Sequence, residues 1–373
     1  MTVDELTTSS HEAEPEPEGG GWSPRAKWAT ALVAMVLIGI VTAALLVKLP
    51  YYTLSPGSAR ATEPLISVVG ADTYETTEGG VDYLTVSLRE ATPVELLAAW
   101  INPAVDVVPE EQILGSQTPA ENRELNLQLM SNSKDSATYQ ALHRLGYEIL
   151  TSGTGAAVAQ VLDGGPADGV LEEGDVIVAA DGEPITLSSD LVAAVRQHEP
   201  GSVMSLEVTT FEPSDERRTV EVTLGAREDD PTQGLLGVST VTRDLTFDFP
   251  VDVTIDSGEV GGPSAGLAFT LGLLDRLTPG SITGGLDVAV TGTIALDGSI
   301  GNVGGVPQKV EAARREGVDL MLVPRDELEQ AQARAGGMRI EPVDTLDDAL
   351  AVLATVGGGD EVLPPEPVAA EVG

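Results

Sequence analysis

An uncharged apolar run, Trp28 to Val47 (WATALVAMVLIGIVTAALLV), divides the chain into a short acidic tail and a long body. As a helix, twenty such residues rise about 30 Å, the thickness of a bilayer's hydrocarbon core. The run is apolar all round, which argues against a globular helix that buries one stripe. Trp28 and Tyr51-Tyr52 stand where interfacial aromatics are expected. Arg25 and Lys27 precede the run and predict the tail inside the cell and the body outside, although Lys48 and Arg60 reduce that asymmetry. A cleaved signal peptide is the competing reading, with Ala59-Arg60-Ala61 as an A-x-A site. The run exceeds the roughly 7–15 apolar residues of a signal peptide, and that site lies well past its end. The reading adopted is an uncleaved transmembrane helix over 28–47.

Composition narrows the chemistry. The chain of 373 residues carries a formal net charge of −39, which argues against nucleic acid and against basic-patch binding to anionic lipid. It has no cysteine, so disulfides, zinc–thiolate sites and cysteine nucleophiles are excluded. His11, His143 and His198 show no metal-ligand spacing, and no metal or cofactor is expected. No GxxxxGK[ST] sequence occurs, so no ATPase module is expected.

The stretch richest in chemical information runs from Val251 to Pro324. Gly-Gly-Pro-Ser-Ala-Gly (Gly261 to Gly266) leads into an apolar run with Leu267, Thr270, Leu271 and Leu274 on one helical stripe. Gly-Gly-Val-Pro-Gln-Lys (Gly304 to Lys309) leads into a second helical run. Ser264 therefore stands in a sharp turn at a helix start, where unpaired N–H groups and partial positive charge can hold an oxyanion. A serine needs a neighbouring base, and no histidine accompanies this stretch. Lysines are scarce (Lys27, Lys48, Lys134 and Lys309), and Lys309 alone follows a Gly-rich turn. Buried in apolar surroundings, a lysine can lose its proton near neutral pH. The reading is Ser264 as nucleophile and Lys309 as general base. The plain alternatives stand beside it: Ser264 as a helix-start residue and Lys309 as a solvated first-turn lysine.

These motifs resemble the peptidase domain of the Lon protease family. Pro263-Ser264-Ala265-Gly266, Thr291-Gly292 and Gly304-Gly305 with Lys309 match that family's nucleophile, its strand-end Thr-Gly and its base in order and approximate spacing. The resemblance implies a Ser–Lys dyad with Thr291 orienting the lysine. Two positions depart from the family pattern: Gly261 where an acidic residue is common, and Thr293 where glutamate is common.

Upstream, strands are expected over 65–69 and 82–88, and Thr92-Pro93-Val94-Glu95 starts a helix that Pro103 ends. A loop is expected over 109–121 and a helix over 125–145, with Lys134 solvated upon it. From Gly146 to Leu224 the pattern changes and resembles a bacterial PDZ domain, through Gly165-Pro166-Ala167, Leu171 to Ile177 and Asp181-Gly182. The resemblance implies a groove that takes peptide C-termini by strand addition. Leu145, Gly146, Tyr147 and Glu148 are expected as its carboxylate loop, and the helix 188–198 as its other wall. A linker over 225–233 and strands near 237–241, 245–249 and 251–255 are assigned to the return into the peptidase domain, which helices over 326–335 and 345–353 then close.

The expected architecture is an α/β (α+β) Lon-type peptidase domain with an inserted β-rich PDZ domain, preceded by one transmembrane helix. Its expected parts are a disordered acidic cytoplasmic tail over 1–24, the peptidase domain's N-terminal part over 64–142, the PDZ domain over 143–226, the catalytic part over 232–356, and a disordered tail over 357–373. The expected function is a membrane-anchored, ATP-independent serine endopeptidase cleaving unfolded or flexible proteins outside the membrane. Its expected partners are protein or peptide substrates, peptide C-termini, the membrane and further copies of itself in a homo-oligomer. A non-catalytic PDZ adaptor on an inactive peptidase fold is the alternative.

Overall fold

The computed structural model describes residues 23–75, 78–210, 217–227 and 230–358. The expected tails over 1–24 and 357–373 lie outside these residues except at their inner ends. In chain order the elements are α1 (Pro24–Leu46), β1 (Tyr51–Ala61), β2 (Ile66–Val69), β3 (Gly80–Glu90), α2 (Pro93–Ile101), β4 (Asp106–Pro109), α3 (Glu110–Leu114) and α4 (Pro119–Arg144). Then follow β5 (Leu150–Ser152), β6 (Ala156–Val161), β7 (Asp175–Ala180), β8 (Glu183–Pro184), α5 (Ser188–Arg196), β9 (Val203–Thr210), β10 (Arg218–Thr223), β11 (Gly225–Ala226), β12 (Gly234–Leu235), β13 (Val238–Thr242), β14 (Thr246–Asp248) and β15 (Asp252–Ile255). The chain closes with α6 (Gly266–Leu277), β16 (Asp287–Val290), β17 (Thr293–Ile294), β18 (Ile300–Gly301), α7 (Val306–Glu316), β19 (Leu320–Pro324), α8 (Leu328–Gln332), β20 (Arg339–Val343) and α9 (Leu346–Ala354).

The described residues fall into two compact units, one within 1–54 and 88–115 and the other within 55–87 and 116–373. In the first, α1 is the apolar helix expected from the sequence, with twenty residues (Lys27–Leu46) long and apolar enough to cross a membrane. The chain leaves it at Val47, and Leu49 N–H bonds to Ala91 O while Ala91 N–H bonds to Tyr51 O. Tyr51 to Leu54 then pair antiparallel with Asp106 to Pro109 of β4. Thr92 caps α2 through a reciprocal bond with Glu95, as Thr-Pro-Val-Glu predicts.

In the second unit, β3, β16, β19 and β20 form a parallel sheet. Its side chains alternate between two helical layers with the period of two that strands impose. Tyr83, Val288, Val290, Leu320 and Leu322 face α6 and α9, while Leu84, Ala289, Met321 and Val323 face α7 and α8. β2, before the PDZ segment, pairs antiparallel with β15, after it. α4 likewise packs on α6, burying Met130, Ser133, Ala137 and Ala141 at helical spacing. One domain is thus built from both sides of an insertion, as the sequence predicts.

The insertion is an antiparallel sheet ordered β10-β9-β7-β6-β13, with α5 closing its core through Leu191 and Val195. Here several expectations are corrected. The strand near 237–241 exists, but as β13 it pairs with β6 inside the PDZ sheet, and β14 pairs with β5. The expected linker over 225–233 begins with β11, which pairs with β12 just after it. Leu236, buried in the PDZ core, holds this return segment to the insertion. The loop expected over 109–121 contains α3 and the first turn of α4, which Thr118 and Glu121 cap reciprocally. β1 and β4 were not foreseen.

Phe269 is fully buried beside Tyr83, ring centroids 5.6 Å apart. Phe269→Ala is expected to cost about 3–5 kcal/mol of stability, read as a fall in the denaturant midpoint.

Candidate active site

The central strand β16 ends at Val290, and Thr291 continues from it with its N–H bonded to Leu322 O. On one face of the sheet, α6 starts just after Ser264; on the other, α7 carries Lys309 in its first turn. The strand end therefore lies between two helix N-termini. Gly305 caps α7 with φ of 70°, a left-handed conformation that glycine adopts without strain.

Thr291, fully buried, bridges the two sides. Lys309 Nζ donates to Thr291 Oγ1 at 3.0 Å. Thr291 Oγ1 donates to the main-chain O of Ser264 at 3.3 Å, and Gly292 N–H donates to the same oxygen at 3.0 Å. Lys309 is only 2% exposed. Burial pushes its amine down from the ordinary 10.5 to about 8, an effect that the Glu327 carboxylate partly opposes. The Ser264 side chain is half-buried, and its hydroxyl makes no hydrogen bond to Lys309. Among the described residues, the Ser264 and Ala265 N–H groups, just before α6, have no main-chain acceptor. They form a donor pair at a helix start, suited to a developing negative oxygen.

The Ser264 turn is held from a side the sequence did not reveal. Ser133 Oγ on α4 donates to Pro263 O at 3.0 Å, and Gly262 N–H donates to Asn126 O at 2.8 Å. A Cβ on Gly266 would lie 2.7 Å from Ser133 Oγ, so glycine there admits α4 against the start of α6. The stripe Met130, Ser133, Ala137 and Ala141 was the available signal, with Ser133 its one polar member. Both departures from the Lon pattern have local reasons. A Cβ at Gly261 would meet Asn126 Cβ at 3.0 Å, a tight contact with α4 that glycine avoids. Thr293 Oγ1 accepts from Gly301 N–H at 3.1 Å and braces the β17–β18 pair.

The other titratable candidates make other contacts. Lys134 is half-buried on α4; burial lowers its pKa, opposed by the Asp256 and Asp135 carboxylates. His143 stacks on Tyr139, and His198 pairs with Asp181 at 2.9 Å. His11 lies outside the described residues. Among the described residues, no group of three or more His, Cys, Asp or Glu is arranged to hold a metal ion.

A second candidate site lies in the insertion. A cleft runs between α5 and the β12–β13 segment, lined by Leu191, Val192, Val195, Leu235, Leu236 and Val238. Among the described residues, β13 is the edge strand of its sheet, and the Leu236 and Gly237 N–H groups at its start have no main-chain acceptor. The expected carboxylate loop is not here. Leu145 caps α4 and packs on the peptidase core, Gly146 turns with φ of 81°, and Tyr147 N–H returns to Leu142 O. The strand beside α5 is the last of this domain, not the first, so Leu145 to Glu148 precede the wrong strand.

Lys309 gives a measurable stability signature. Below about pH 8 the folded chain must hold a buried ammonium that it disfavours. Between about 8 and 10.5 the unfolded chain binds the extra proton, so native stability rises with pH through that window. Lys309→Met is expected to raise stability at pH 7, by on the order of 3 kcal/mol, with the gain shrinking toward pH 10.5 in chemical denaturation.

Comparison with known proteins identifies both domains. Residues 242–355 match the Lon protease (S16) C-terminal proteolytic domain, and residues 129–224 match the PDZ domain. Lon protease 2 of Bacillus subtilis is 30% identical over 115 residues, covering 31% of this chain and 20% of that protein. A probable periplasmic serine endoprotease DegP-like of Pseudomonas fluorescens is 42% identical over 91 residues, covering 24% of this chain and 18% of that one. The PDZ domain of an SdrC-like protein from Listeria monocytogenes aligns with 24% of this chain and 88% of its own, at 25% identity and a TM-score of 0.21. The chain thus spans 20% or less of the length of these two curated relatives. Behind an N-terminal apolar helix, the chain carries a Lon-type C-terminal proteolytic domain with a PDZ domain inserted into its fold.

Proposed function

We propose that this chain is a membrane-anchored serine endopeptidase acting through a Ser264–Lys309 dyad without ATP. The observation that carries this reading is the buried Lys309 amine, with its depressed pKa, bonded to the threonine that holds the Ser264 carbonyl. In the reaction, neutral Lys309 takes the Ser264 hydroxyl proton as Oγ attacks the scissile carbonyl. The Ser264 and Ala265 N–H groups stabilise the resulting oxyanion. The C–N bond breaks, Lys309 returns the proton to the leaving amine, and an acyl-enzyme remains. Water, deprotonated by Lys309, then releases the acid and restores the serine. The first transfer needs Nζ within about 2.6–3.2 Å of Oγ; catalytic bonds often tighten only when substrate is bound. Thr291 orients the amine until then.

With no P-loop sequence in the chain, substrates are unfolded or flexible segments outside the membrane. The α5–β13 cleft takes the C-terminus of a protein partner: the backbone adds to the β13 edge, the carboxylate meets the Leu236 and Gly237 N–H groups, and an apolar last side chain enters between Leu191, Val195 and Leu236. The missing Ser264–Lys309 hydrogen bond favours the second reading, a PDZ adaptor on an inactive peptidase fold.

Casein cleavage by the full chain in lipid nanodiscs separates the two. Activity is expected for the native chain and lost in Ser264→Ala and Lys309→Ala, with unchanged circular dichroism. An inactive native chain, or Lys309→Ala at full rate, would sink the dyad. The rate should rise with pH to a half-maximum near 8, because only the neutral amine is a base. For the cleft, Val195→Asp should weaken a peptide with an apolar C-terminal residue at least about tenfold, the loss of a buried anchor. Tyr147→Ala should leave that affinity unchanged, both read by fluorescence anisotropy.

A further inference from the structure

We infer that α2 is a second membrane element: a short helix lying in the outer bilayer interface beside α1, with its apolar face in the lipid. The inference rests on the reading of α1 as a bilayer-spanning anchor. Nine residues long, α2 exposes Trp100 at 85%, Ile101 at 73%, Leu97 at 59% and Val94 at 41%. Val94, Leu97 and Ile101 recur at helical spacing on one face, and Trp100 flanks them. A soluble helix would turn such residues inward. The single charged side chain of α2, Glu95, is held at its N-terminus by the bond that caps Thr92.

Position decides the occupant. Thr92, the cap of α2, follows Ala91, which is hydrogen-bonded to Leu49 and Tyr51. Leu49 is only three residues beyond the end of α1 at Leu46. The start of α2 is therefore tied to the level at which the chain leaves the membrane helix. From there α2 stays in contact with α1, whose described residues are exposed except Ala44 in its last turn. A helix beginning at that level and lying against a bilayer-spanning helix has the same bilayer as its surroundings. Tryptophan on such a helix suits the headgroup boundary, where the indole body is apolar and its N–H is wet. The bond is one of apolar area, not of charge: Lys48 at this level is paired with Glu90 at 3.4 Å, and the chain as a whole is strongly acidic. Binding should accordingly be indifferent to anionic lipid.

The cysteine-free chain allows single nitroxide labels. The full-length protein in phosphatidylcholine nanodiscs would carry one label each at Leu97→Cys, Trp100→Cys and Ile101→Cys. Glu95→Cys serves as the polar-face control and Ile38→Cys as the control within α1. Collision with oxygen, which partitions into lipid, is compared with collision with a water-soluble nickel chelate. The expected result is oxygen-dominated collision at 38, 97 and 101, an intermediate ratio at 100, and nickel-dominated collision at 95. The pattern should persist when part of the phosphatidylcholine is replaced by phosphatidylglycerol. Lipid exposure at 38 with nickel-dominated collision at 97 and 101 would overturn the inference while leaving the anchor intact. Suppression of both reagents at 97 and 101 would also overturn it, by showing that protein, such as a second copy of the chain, covers this face. Nickel-dominated collision at 38 would remove the anchor and the inference with it.

Discussion

Everything in the catalytic half depends on the packing of α4 against the beginning of α6. That contact joins chain segments from before and after the insertion, and it sets the turn that carries Ser264. The Ser133 hydroxyl holds the Pro263 carbonyl and the Asn126 carbonyl holds the Gly262 N–H, while Gly266 removes the side chain that would keep the helices apart. The serine is thus fixed through its neighbours' backbone, and its own hydroxyl remains available for chemistry. A buried polar side chain in an otherwise apolar stripe costs free energy unless it is bonded, and the Pro263 carbonyl meets that cost.

On the other side of the sheet, the geometry places an amine where water does not compete. Desolvation disfavours the ammonium, and the one partner given to it directly is a neutral hydroxyl. A carboxylate in the place of Thr291 would have restored the charged form and held the lysine protonated. The parallel sheet makes this arrangement natural. Its central strand ends where helices from both faces begin, so a hydroxyl at the strand end can reach across both.

Much of this was legible in the sequence. Pro263-Ser264-Ala265-Gly266 and Gly304 to Lys309 announced helix starts through glycine and proline, and both helices are where those signals place them. The apolar run and the Thr92 cap were equally plain. What was not legible depends on contacts between distant segments. Ser133 reads as one more polar residue in α4 until Pro263 is placed against it. β13 reads as the first strand of the peptidase core, because nothing local tells a strand which sheet it will join; its pairing with β6 and the burial of Leu236 decide that. The same ambiguity misdirected the carboxylate loop to Leu145 through Glu148, since the order of strands around α5 is a property of topology. β1 was missed because Pro56 and Gly57 interrupt its pattern, although Gly57 is there to let Thr85 approach.

The splitting of the peptidase domain around the insertion has a bearing on how the chain acquires its structure. As synthesis proceeds, β2, β3 and α4 emerge first, but their partners β15 and α6 follow only after the whole PDZ segment. The early half cannot bury its apolar face until then. Joining its two halves across an open chain of that length would carry a heavy entropic toll and slow the search. A PDZ segment that has already condensed turns that long tether into a short one, delivering β15 close to where α4 ended. A substitution that weakens the insertion's core is therefore expected to slow the joining of the two halves around Ser264, a residue it never touches.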